Sequence, residues 1–176
     1  VSDVNQNVSL DSLSGTIGIG HTRWATHGSV CDTNAHPHPS NSGKIAIVHN
    51  GIIDNYLEIK SNLELRGYVF KSQTDSEVIV NLLQFYFDET HDIKKSLMQT
   101  VSKLKGHYAF VAMFDDGTLV AAKYHEPLII GIGKTGYFLS SDVLGFVEKT
   151  DDAIYLDNEE FVILNNNNML IYNFEG

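Results

Sequence analysis

The 176-residue sequence holds one cysteine, one tryptophan, three prolines and no basic run. A lone Cys31 excludes an intrachain disulfide framework and suits a reducing compartment. No apolar stretch approaches the roughly 18 residues of a membrane helix, and no signal peptide is expected at the start, so the expected location is cytoplasmic. With 12 Lys+Arg against 22 Asp+Glu the net charge is −10, which makes nucleic acid and anionic membranes poor partners. An acidic ligand would need a local cation. The chain opens on Val1 and not on methionine, which hints at processing or at part of a longer polypeptide.

What is present fits one soluble domain over residues 1–176, with 43% hydrophobic and 19% charged residues. The densest chemistry lies in His21-Thr22-Arg23-Trp24-Ala25-Thr26-His27-Gly28, directly after the alternating run Thr16-Ile17-Gly18-Ile19-Gly20. Ile17 to Trp24 reads as a buried strand with the polar octet at its end, where a scaffold presents side chains to ligands. Arg23 is the natural fork for a carboxylate or phosphate. A surface cation–π pair with Trp24 would use the same two residues. Three further polar groups recur beside apolar segments: Asn34-Ala35-His36-Pro37-His38, His49-Asn50-Gly51 and Thr74-Asp75-Ser76-Glu77.

Along the chain, Gly28 to Gly43 reads as a long ordered loop. Ile45 to His49 reads as a strand closed by an Asn50-Gly51 turn, followed by a helix from Ile52 to Gly67 with Tyr56, Ile59 and Leu63 at helical spacing. Thr74 to Glu77 has the form of a capping box ahead of an apolar helix carrying Ile79, Leu82, Leu83 and Tyr86. Ile93, Leu97, Val101 and Leu104 mark one face of a third helix. From Tyr108 the pattern turns to strands: Tyr108–Phe114, Thr118–Lys123, Leu128–Ile132, Tyr137–Ser140, Ile154–Leu156, Glu160–Leu164 and Met169–Tyr172. Strands, helices and strands in that order predict an α+β fold with helices packed on sheet faces. Gly131-Ile132-Gly133 leads into a strand, so it is a turn and not a phosphate loop.

In order along nearly the whole chain, the HTRWATHG octet, the NAHPH run, HNG and TDSE resemble the glutaminase domains of the glucosamine-6-phosphate synthase family, within the class II glutamine amidotransferases. The phosphoribosyl-transferring relatives are similar around HNG, but carry tyrosine in place of Trp24 and have no HPH run. The resemblance implies an N-terminal-nucleophile hydrolase fold, a four-layer αββα sandwich with antiparallel sheets. It also implies that the opening strands, and the N-terminal cysteine nucleophile whose own α-amine is the base, precede Val1. On that expectation the chain alone is inactive, and Cys31 is a structural or incidental thiol.

The same resemblance implies roles for named residues. Arg23 would hold the α-carboxylate of L-glutamine, with Thr26 and His27 as secondary contacts, and Asp75 would hold the α-ammonium. Asn50 side-chain NH2 and Gly51 N–H would receive the oxyanion. Trp24 would shield the site and direct released ammonia. Other readings of the same residues stay open: a helix-dipole acid for Asp75, a plain Asn-Gly turn, core packing for Trp24. No cofactor is implied. The crowd of His21, His27, His36, His38 and His49 raises a metal site as a competing idea, although Asp32 is the sole acid among them. The expected partners are L-glutamine and a sugar-phosphate isomerase domain of the same polypeptide, the whole as a homodimer.

Overall fold

The computed structural model describes residues 14–22, 31–165 and 168–176. In chain order its elements are β1 (His38–Pro39), β2 (Ile45–Ile53), α1 (Tyr56–Glu64), α2 (Ser76–Thr90), α3 (Ile93–Val101), β3 (Gly106–Phe114), β4 (Leu119–Tyr124), β5 (Ile129–Gly133), β6 (Gly136–Ser140), β7 (Ala153–Tyr155), β8 (Glu160–Asn165) and β9 (Asn168–Asn173). Two antiparallel sheets result, one in the order β1-β2-β3-β4-β8-β9 and the other in the order β6-β5-β7. The seven strands expected from Tyr108 onward all occur, with ends within about two residues of those read from the pattern.

Alternation along β2 builds the layers. Ile45, Ile47 and Ile53 point to one face and join Val78, Ile79, Leu83, Leu97, Phe110 and Phe161 in a core between the large sheet and the helices. Val48 points to the other face, where Ala109, Val111, Ala121 and Val162 meet Leu128 and Ile130 of the β5 region and Leu156 beside β7. Each fully buried Ile, Leu or Phe contributes on the order of 2 kcal/mol, so both cores are substantial. The first half of α2, Ser76 to Gln84, is buried on every side, which suits a helix wedged between the sheet and its neighbours.

Three local expectations are corrected. Asn50-Gly51 is not a turn, because β2 continues through it to Ile53, with Asn50 opposite Ala109 and Gly51 opposite Tyr108 on β3. The first helix therefore starts at Tyr56 instead of Ile52, and Asn55 ahead of it is tied to the Lys103 carbonyl and the Lys105 N–H. The capping box at Thr74–Glu77 does not form. The N-cap is Asp75, Thr74 Oγ1 is 3.0 Å from His38 Nε2, and the Glu77 carboxylate accepts from Lys71 N, Ser72 N and Ser72 Oγ. Competing donors in the preceding loop take the carboxylate that would have reached back to the cap.

The expected strand at Ile17–Trp24 also differs. Over Thr16–Thr22 the backbone pairs with none of the described strands, and Ile17 is 49% exposed. Ile19 still packs against the inter-sheet core. The Gly28–Gly43 loop is ordered over its described part, with a short 3-10 turn at Asp32–Asn34, a cis His36–Pro37 bond and β1 laid against β2.

Candidate active site

The site grows from the far end of β2. Because side chains alternate, His49 lies on the helix side of the sheet and Asn50 on the inter-sheet side. Gly51 has φ +104°, and a Cβ there would run into the His107 carbonyl oxygen of β3. Gly106 on β3 has φ +132° and a Cβ there would meet the Ile52 carbonyl oxygen, so the two strands approach as they do only through two glycines.

On the inter-sheet side a cavity of about 720 Å³ is lined by Gly20, His21, Thr22, Val48, His49 and Asn50 from one side, with Leu128, Leu139 and Ser140 among the residues opposite. Its volume falls in the range of small-molecule sites. His21 Nε2 lies 2.8 Å from Asn50 Oδ1. With His21 as the donor, the Asn50 amide NH2 is left free to donate elsewhere.

On the helix side the HPH run packs against the start of α2. β1 pairs with β2 so that His38 lies opposite Ile47, and the preceding residues continue along the same edge. His49 N–H donates to His36 Nδ1 at 3.3 Å, which puts the His36 proton on Nε2, 3.4 Å from Ser76 Oγ. Ser76 Oγ is in turn 2.8 Å from His49 Nδ1. The His36 ring stacks on His21 at 4.4 Å and meets His38 edge-on at 4.7 Å. Asn34 fixes the loop from below, accepting from Gln73 N at 2.9 Å. His49 is buried, and burial above all pushes its pKa down to about 4; Asp75 opposes that shift, while His21 and His38 add to it. It is a neutral imidazole at pH 7.

Asn50 and Gly51 are thus consecutive on β2, with Asn50 in the cavity wall. Asp75 is 2% exposed at the N-cap of α2, and its Oδ2 accepts the Ile53 N–H at 2.8 Å. It anchors the same strand end two residues beyond Gly51 but is not among the described residues that line the cavity. Arg23, Trp24, Thr26 and His27 lie outside the described residues. Cys31 is exposed, with Sγ 3.1 Å from Thr33 Oγ1, and it too is not among the cavity-lining residues. Among the described residues no group of three or more His, Cys, Asp or Glu side chains converges as a metal site would require. Two contributors escaped the sequence reading: Ser76, which looked like a helix-start residue, and His21 as the partner of Asn50. The recurrence of histidine in three of the four polar motifs was the available signal for His21, and nothing local marked Ser76.

Two facing antiparallel sheets with helices packed on the larger one form the N-terminal-nucleophile hydrolase fold that the chain shares with solved class II amidotransferases. The glutamine phosphoribosylpyrophosphate amidotransferase of B. subtilis superposes on 88% of the chain with a TM-score of 0.72 at 28% identity, over 34% of its own length. The chain belongs to the glutamine amidotransferase domain family, whose profile matches residues 21–147. Among curated relatives, the glutamine–fructose-6-phosphate aminotransferase (isomerizing) of Methanothermobacter thermautotrophicus is 47% identical over 93% of the chain. The protein of that name from Bacteroides thetaiotaomicron is 44% identical over 94%. The chain spans only 28% and 27% of those two proteins.

Proposed function

We propose that this chain is the glutaminase domain of a glucosamine-6-phosphate synthase. It would release ammonia from L-glutamine for a sugar-phosphate isomerase domain on the same polypeptide, which converts fructose 6-phosphate to glucosamine 6-phosphate. The observation that carries this reading is identity of 44–47% over more than nine-tenths of the chain to proteins named for that conversion. The HPH run, on which the resemblance to this family partly rests, is built into the packing around His49.

In the proposed reaction a cysteine thiolate adds to the glutamine side-chain carbonyl, and the resulting oxyanion is received by Asn50 Nδ2 and Gly51 N–H. Collapse expels ammonia, protonated on leaving by the α-amine that took the thiol proton. Water then cleaves the thioester to glutamate and restores the thiol. Oxyanion donors of this kind are worth on the order of 3 kcal/mol each. Arg23 holds the α-carboxylate, Thr26 and His27 assist it, Asp75 holds the α-ammonium, and Trp24 shields the ammonia from solvent. The nucleophile is the N-terminal cysteine that the resemblance supplies, and none of residues 1–176 is assigned that role. The polypeptide works as a cytoplasmic homodimer, with residues 1–176 as one type-2 amidotransferase domain.

The test is glutamate release and glucosamine 6-phosphate formation by the full-length polypeptide, set beside residues 1–176 alone. Both products from the full polypeptide and neither from the isolated chain are expected. Glutamate released by the pure 176-residue chain would overturn the assignment of the nucleophile. Glutamate without glucosamine 6-phosphate would point to another acceptor.

A further inference from the structure

We infer that His21 is the positioning residue for Asn50, fixing which end of its side-chain amide faces the substrate. The inference rests on the oxyanion role proposed for Asn50. A primary amide has two ends of similar size, one a donor and one an acceptor, and only the NH2 end can stabilise an oxyanion. β2 orients the Asn50 Cβ toward the cavity but leaves the amide free to turn about its last bond. His21 Nε2 at 2.8 Å from Oδ1 removes that freedom, because an N–H there pairs with the oxygen and repels the NH2.

The imidazole is itself held. Its ring stacks at 4.4 Å on His36, which receives the His49 backbone N–H on Nδ1 and faces Ser76 Oγ with Nε2. His21 Nδ1 is buried and has no hydrogen-bond partner among the described residues, so the ring's one polar contact there is the one to Asn50. The histidine opening the octet thereby acts on the reaction through Asn50. The HPH loop gains a purpose as well, as the wall against which His21 is stacked.

The test is a double-mutant cycle in the full-length enzyme, with glutaminase kcat and KM measured for His21→Met, His21→Gln, Asn50→Ala and the two double variants. Met keeps length and bulk without a donor, whereas Gln offers an N–H near the position of Nε2. For His21→Met, kcat should fall roughly 10- to 100-fold, as for a displaced catalytic group, with KM for glutamine within about twofold. His21→Gln should recover most of that loss. On the Asn50→Ala background neither His21 change should lower kcat further, since no amide remains to orient. Thermal melts select the variants that are folded, and the Met–Gln difference is read between proteins of matched stability. Equal kcat for Met and Gln variants, or an undiminished His21 effect on the Asn50→Ala background, would overturn the inference while leaving the role of Asn50 intact. Asn50→Ala with unchanged kcat would remove the oxyanion role itself, and with it this inference.

Discussion

Asn50 and Gly51 are neighbours with opposite demands, and substitution should separate them. Asn50 is half-buried in the cavity wall, with its Oδ1 paired to His21. Asn50→Ala in the full enzyme should lower kcat for glutamine hydrolysis by about 10²–10³, with little change in the unfolding midpoint. Equal losses in activity and stability would count against the oxyanion role. Gly51 is a matter of backbone, because any Cβ collides with the His107 carbonyl at a φ that L-residues avoid. Gly51→Ala should therefore destabilise the domain by about 3 kcal/mol, visible as a fall in the denaturant midpoint whether or not substrate is present.

At the scale of elements, the site is held by side chains of α2 that reach the loops before β2. Asn81 is fully buried and its Oδ1 accepts from both the backbone N–H and the side chain of Asn41, each at 2.9 Å. Gln84, one turn on, accepts the Ser42 N–H. Asn81→Ala strands a backbone donor and opens a small void, so a loss of about 2–3 kcal/mol in urea unfolding is expected. The β1–β2 connection loosens first, which hydrogen exchange at Asn41 and Ser42 would register. Much of this layer was legible in the chain. The Ile45-Ala46-Ile47-Val48 alternation and the i, i+4, i+8 spacing of Ile93, Leu97 and Val101 report burial directly, and both elements formed. Asn50-Gly51 misled because a glycine in a turn that closes a strand and a glycine that lets two strands touch look alike locally. The difference is made by His107, a partner supplied by a distant strand. Glu77 misled likewise, since its backbone donors at Lys71 and Ser72 precede the presumed cap. The histidine motifs were visible as a group, but which nitrogen meets which oxygen depends on the β1–β2 register, and periodicity does not encode that.

For the whole molecule, one buried imidazole should set part of the acid response. His49 sits in the helix-side packing with Ser76 on Nδ1 and its Nε2 without a partner among the described residues. Its pKa is lowered to about 4 from an ordinary value of 6.5, first by burial, then by His21 and His38, against the pull of Asp75. Between those two values the unfolded chain binds a proton that the folded chain refuses. Stability therefore rises with pH across about 4 to 6.5 and is flat, as far as this group is concerned, above it. The full swing for such a shift is about 3 kcal/mol, a large share of the stability of a typical domain. Urea unfolding of the folded domain at a series of pH values should show that slope. His49→Asn can still bond Ser76 but carries no titrating ring, so its curve should be flatter by up to the same amount over the same window, whatever its absolute stability. Parallel curves for the two proteins would mean that His49 takes up its proton in the folded state without penalty, and the neutral buried imidazole would have to be given up.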